Sequence, residues 1–209
     1  MKLNIKKLIF STAVAVLFVS SSIAQFGGTI EFTKKVGKME VNYQYHVSGD
    51  NIRVEEVNDG NIDGIQIMDL GKGTIYALSP DRKMYMEVQN KRPAAVLTVD
   101  VEKTGKTKTI NGVKCTEIIV TSKEKDRKIV YWVASGDYNF FAPMLKTLNR
   151  KENQSMFFLQ IPGMEKSFPM HSIEYTLSTG DVVSELITNK VTKGKVDAKK
   201  FEVPSDFTK

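Results

Sequence analysis

Apolar and polar residues alternate with a period of two along most of this chain, the pattern of strands with one buried face. In residues 39–48, Val41, Tyr43, Tyr45 and Val47 point one way, and Asn42, Gln44, His46 and Ser48 the other. Residues 28–36 repeat the pattern more loosely, with Ile30, Phe32 and less clearly Lys34 opposite Thr29, Glu31 and Thr33. Further strands are predicted at 52–57, around Ile65, Ile67 and Leu70, and at 74–78, 83–88, 96–102, 113–122, 129–134, 156–161, 170–177 and 181–191. Turn residues separate many of them: Gly49-Asp50-Asn51, a longer loop at 58–64, Gly71-Lys72-Gly73, Ser79-Pro80-Asp81-Arg82 and Ser178-Thr179-Gly180. Residues 90–95 form a connector containing Pro93, residues 103–108 read as polar and flexible, and the tail with Phe201 and Pro204 is expected to dock as a short extended edge. Such an order is that of an antiparallel meander.

The period changes once. After Ser135-Gly136-Asp137, the residues Phe140, Phe141, Met144, Leu145 and Leu148 fall on one side of a helix with 3.6 residues per turn. Pro143 is tolerated only in a first turn, so the helix is expected to begin near Ala142 and to end over 149–155. A lone helix with an apolar stripe needs an apolar surface to lie on, and in a chain of strands that surface is a sheet. The fold class that follows is mainly β (α+β), with one amphipathic helix against the sheet. The stripe has two readings: a plug that completes the core, or a lid over an apolar cavity. Methionines such as Met84, Met86, Met144, Met156, Met164 and Met170 would make that interior deformable.

The first residues do not belong to the fold. Lys2, Lys6 and Lys7 precede an apolar run at 8–19, and Ser22 and Ala24 stand three and one positions before Gln25. These are the parts of a secretory signal peptide, cleaved between Ala24 and Gln25, and the run is too short to span a bilayer comfortably. The expected organisation is a signal peptide at 1–24 and a single domain at 25–209, with the mature chain periplasmic or secreted and the membrane only a neighbouring compartment. Of 209 residues, 41% are hydrophobic and 26% charged, an ordinary globular composition. The net charge of +6 includes those three lysines, and setting them aside leaves 27 of the 30 basic residues against 24 acidic ones. That mild excess, with no basic stripe interleaved with aromatics, does not point to nucleic acid.

Candidate chemistry is sparse. Cys115 is the single cysteine, so no intramolecular disulfide can form, and its alternation with Val113 and Glu117 makes it a small buried residue rather than a nucleophile. Asp59-x-Asn61-x-Asp63-Gly64 resembles the start of a calcium loop, but Leu70 stands where a bidentate acid is needed, and Asp-Gly is also tight-turn chemistry. His46 shares its face with Asn42 and Gln44 and reads as solvated, whereas His171, beside Ile173, Tyr175 and Leu177, reads as partly buried. No ligand spacing joins them, so no metal or other cofactor is expected. Glu55 and Glu56 lie on opposite sides of a strand and cannot act as a facing acid pair. Nucleophile-elbow, zincin, Walker and dinucleotide fingerprints are missing, so the chain is not expected to be an enzyme.

The order of motifs resembles a family of exported bacterial proteins with a domain of unknown function. The resemblance rests on Gly28-x-Ile30, on 49–55 (GDNIRVE), on Met68-Asp69-Leu70, on 75–80 (IYALSP) with Met84-Tyr85-Met86, on 110–115 (INGVKC), on Tyr131-Trp132-Val133-Ala134 and on Phe201-x-Val203-Pro204. It implies the architecture of periplasmic lipoprotein carriers: a strongly curved antiparallel sheet, a half-open barrel, with helix against its concave face. It carries no catalytic residues. On that frame, a cavity would be lined by Trp132, Phe140, Phe141, Met144, Leu145 and Leu148, and the partner would be an apolar small molecule or lipid. The competing expectation is an envelope module with a filled core and no ligand.

Overall fold

A computed structural model describes residues 25–89, 93 and 96–209, and within them eleven strands form one antiparallel, curved and unclosed sheet. The strands are β1 (Gly27–Val36), β2 (Met39–Ser48), β3 (Asn51–Asn58), β4 (Asn61–Asp69), β5 (Thr74–Ser79), β6 (Met84–Glu87), β7 (Asp100–Ile110), β8 (Val113–Ser122), β9 (Arg127–Ser135), β10 (Ser167–Thr176) and β11 (Val182–Lys193). Their spatial order is β6-β5-β4-β3-β2-β1-β11-β10-β9-β8-β7. Two meanders therefore join where β1 pairs with β11, and the consecutive strands β6 and β7 are the two outermost strands. The half-open barrel implied by the resemblance is the observed architecture. The signal-peptide expectation at 1–24, and all of the 90–95 connector except Pro93, lie outside the described residues.

The seam between the meanders needs a glycine. Gly28 has φ +146°, and a Cβ there would stand 2.1 Å from the Thr192 carbonyl oxygen of β11. Elsewhere the turns are tighter than the sequence suggested. The 58–64 loop does not exist as such: Asn58 pairs with Asn61, and Asp59-Gly60, with φ of 49° and 80°, forms a two-residue hairpin turn. Two further expectations change. Residues 103–108 belong to β7, where their charges suit an exposed sheet edge. Residues 156–161 are not a strand, because Asn153–Phe158 is a second short helix.

The helices are α1 (Phe141–Leu148) and α2 (Asn153–Phe158). Asn149 ends α1 in the left-handed conformation, its N–H donating to the Leu145 carbonyl at 2.8 Å. Both pack on the same core as Ile30, Val47, Ile52, Met68, Ile118, Val120, Ile129 and Tyr131. The opposite face of β4 and β5 carries a second cluster, Ile65, Ile67 and Leu78, covered by Val203 and Phe207 of the tail. Before that contact the tail forms a 3₁₀ turn at Ala198–Phe201, and only at Thr208 does it extend the edge, beside Met84 of β6. The turn also covers His46, which is buried rather than solvated: alternation placed it on the outer face but could not show that the tail returns over it. Arg53 and His46 converge on Glu55 at 2.6 and 3.0 Å, and Arg53 reaches the Lys200 carbonyl at 3.2 Å.

Candidate binding cavity

The interior between sheet and helices is aromatic. Strands β1 to β3 supply Phe32, Tyr43, Tyr45 and Val54, β9 supplies Tyr131, and α1 supplies Phe141, Leu145 and Leu148. Phe32 packs edge-on to Tyr45 and stacked on Tyr43, with centroids 4.6 and 5.2 Å apart. Phe141 meets Phe168 at 4.7 Å and Phe158 at 5.1 Å, both edge-on. The space left between these groups is a cavity of about 60 Å³. It admits water-sized molecules and falls well short of the roughly 300 Å³ at which drug-sized ligand sites begin. A smaller space of about 30 Å³ shares Phe32, Tyr45 and Phe141 with it and reaches Phe168 and Thr188. A larger one of about 230 Å³ shares Tyr43, Val54 and Arg150 with the first and continues along β3 to β5 over Gly64 and Ala77. The first space thus adjoins both others, sharing Phe141 with the smaller and Arg150 with the larger.

The mouth is polar. Lys34 pairs with Glu152, and the Arg150 guanidinium donates to the Gln66 side-chain oxygen at 2.7 Å. Behind it, α2 is pinned to the sheet through Gln154. The Tyr131 hydroxyl donates to the Gln154 carbonyl at 2.7 Å, the Gln154 amide donates to Ser184 Oγ at 2.9 Å, and the Ser172 hydroxyl donates to Gln154 Oε1. The chain of bonds ends on Glu174, which accepts from Ser184 at 2.8 Å, Asn153 at 2.7 Å and Arg127 at 3.1 Å. In contrast, α1 turns only the apolar Phe141, Ala142, Met144 and Leu145 inward.

Burial sets the electrostatics of this interior. It pushes the Tyr45 and Tyr131 phenols far above their ordinary value, and Tyr43 upward to a lesser degree, so all three stay neutral. Tyr138, near the start of α1, is pushed up to about 12 by burial and by the Asp137 charge. Burial also raises the Cys115 thiol, which donates to the Val113 carbonyl at 3.5 Å. Such a thiol is a poor nucleophile.

Of the six residues expected to line a cavity, Phe141, Leu145 and Leu148 do so. Phe140 and Met144 are fully buried in the core behind them. Trp132 stands apart from the cavity: it sits opposite His171 in the β9–β10 register, with the Lys108 ammonium 4.3 Å from its ring centroid. Gln25, the expected first mature residue, is exposed and donates to the Gly49 carbonyl at 3.1 Å, while Ala24 lies outside the described residues. The imidazoles have separate partners, Thr29 and Glu55 for His46, Lys108 and Glu185 for His171. Among the described residues no group of three acidic, histidine or cysteine side chains could hold a metal ion, and no helix is long and apolar enough to cross a membrane. The cavity also takes residues the sequence did not single out for it, among them Tyr43, Tyr131, Arg150 and Gln154. Gln154, Phe157 and Phe158 recur at i, i+3 and i+4, but over a helix of six residues that spacing is too short to be told from a strand.

A curved, unclosed sheet with an aromatic interior covered by two short helices defines a half-barrel module. Residues 26–207 match the domain of unknown function DUF4412, and the chain belongs to that family. No curated protein sequence matches it. Among solved structures, the fold is similar to a chain of the Pseudomonas aeruginosa MucA/MucB complex, at 9% identity and a TM-score of 0.51, over 87% of this chain and 57% of that one. It also resembles PNGF-II, at 9% identity and 0.48 over 87% and 30% of the two chains. The LolA superfamily protein NE2245 from Nitrosomonas europaea gives 11% and 0.36 over 87% and 91%. The chain therefore spans less than two thirds of the length of the first two, and the likeness is one of fold.

Proposed function

We propose that this is an exported, non-enzymatic binding protein, periplasmic or secreted, with a single domain at 25–209 that holds a lipid or acyl chain inside the half-barrel. The observation that carries this reading is the way α1 closes the aromatic interior. Its buried residues are all apolar, so the contacts it makes can be exchanged for those of an acyl chain at little net cost. The cavity of about 60 Å³ is then the residual space of a closed state, and ligand entry requires Leu145 and Leu148 to move outward with α1. Trp132 is not part of that lining.

Native mass spectrometry of the protein purified from its own host tests this. The expected result is an added mass released only on denaturation and identified as a lipid. A single apo mass from every preparation would contradict the reading. A second reading, an interaction module with a filled core, is favoured by the complete burial of Phe140 and Met144. The fold likeness to a chain found in a protein–protein complex also supports it. The apo mass together with a stable protein partner in pull-downs from the host would select that alternative.

A further inference from the structure

We propose that the Arg150 end of the interior is a carboxylate-binding subsite, so that the occupant is a single-chain amphiphile with a carboxylate head. This rests on the binding reading above and specifies its ligand. Arg150 borders both the space under α1 and the larger space over Gly64 and Ala77, so a chain lying under α1 would bring its head group to this guanidinium. The partner that orients Arg150 is the neutral side-chain oxygen of Gln66 at 2.7 Å, which aims the guanidinium without neutralising it. The other cation at the mouth, Lys34, is already matched by Glu152.

The head is a monoanion for a second reason. Glu56 lines the same space and Glu152 stands two residues from Arg150, so a doubly charged phosphate monoester would meet repulsion that a carboxylate meets less. A carboxylate also matches the planar fork of an arginine, which can donate two parallel hydrogen bonds to it. Tyr43 lines the space as well, and its phenol offers one more donor. Gly64 and Ala77, with almost no side chain, leave room for the head where larger residues would fill it.

Calorimetric titration of the full mature chain with dodecanoate, dodecanol and dodecyltrimethylammonium tests this, on the native protein and on Arg150→Gln. Arg150 is exposed and follows the end of α1, so the variant retains the fold. The expected result is dodecanoate binding at least about tenfold more tightly than dodecanol, with the preference lost in Arg150→Gln and dodecanol affinity unchanged. Equal binding of acid and alcohol, a preference for the ammonium, or a preference that survives Arg150→Gln would overturn the subsite while leaving the binding reading intact. Failure of all three to bind would overturn both.

Discussion

The two helices cover the same sheet and are fastened to it by different physics. The inward side of α1 is Phe141, Ala142, Met144 and Leu145, held by contacts that have no direction and that any apolar group of similar volume can replace. The inward side of α2 is Gln154, Phe157 and Phe158, and its glutamine is tied to three strands through Tyr131, Ser172 and Ser184. Those bonds have fixed partners, and an acyl chain cannot supply them. Under the proposed binding function, the difference would make α1 the cover that a ligand displaces and α2 the fixed wall. It also explains why the polar residues of the interior gather beneath α2: a buried hydroxyl or amide is stable only where every member of the set is satisfied.

The largest effect is expected from placing charge under α1. Leu145→Asp removes apolar burial and leaves a carboxylate in an aromatic interior, at a cost of about 3–5 kcal/mol. Chemical denaturation reads this, and an unchanged midpoint would detach α1 from the core altogether. Next comes a pair of shape-conserving exchanges. Gln154→Leu leaves the Ser172 hydroxyl without the acceptor it has now and is expected to cost about 1–3 kcal/mol. Leu145→Met keeps both volume and chemistry and should cost less than about 1.5 kcal/mol. If the two exchanges cost the same, the contrast between apolar and polar attachment fails.

Much of this was legible in the pattern of the chain. Alternation located β2 and β8 to within a residue, and the change of period located α1, because long amphipathic runs carry their own signal. The second helix was lost because a six-residue run ending Met156-Phe157-Phe158 is too short for periodicity to separate helix from strand. His46 is buried for a reason that alternation does not carry. A strand shows which face a residue occupies, but not which distant segment returns to cover that face, and here the 3₁₀ turn with Lys200 does so. Trp132 was drawn into the cavity by its motif, although the register sets it beside His171 and under Lys108. Pairing across strands, which decides such neighbours, is not written in local sequence.

The buried charge cluster beneath that turn provides a smaller, pH-dependent effect, and a control that should leave both helices in place. Burial raises the Glu55 carboxyl, but hydrogen bonds from His46 and Arg53 and their charges outweigh it and hold the group at about 2, below its ordinary 4.5. A depressed carboxylate contributes stability that is present in full above its unfolded value and is lost as pH falls toward the folded one. Stability should therefore decline between pH 4.5 and 2, and Glu55→Gln should flatten that part of the profile. An acid limb identical in the variant would show that the cluster contributes nothing.

The distinction between cover and wall is tested most directly by hydrogen exchange at the amides of α1 and α2, measured with and without bound dodecanoate. The account predicts that the ligand changes exchange at Met144, Leu145 and Asn149 while leaving Met156 and Leu159 of the α2 region as they were. An equal response of both helices, or a change confined to α2, would contradict it.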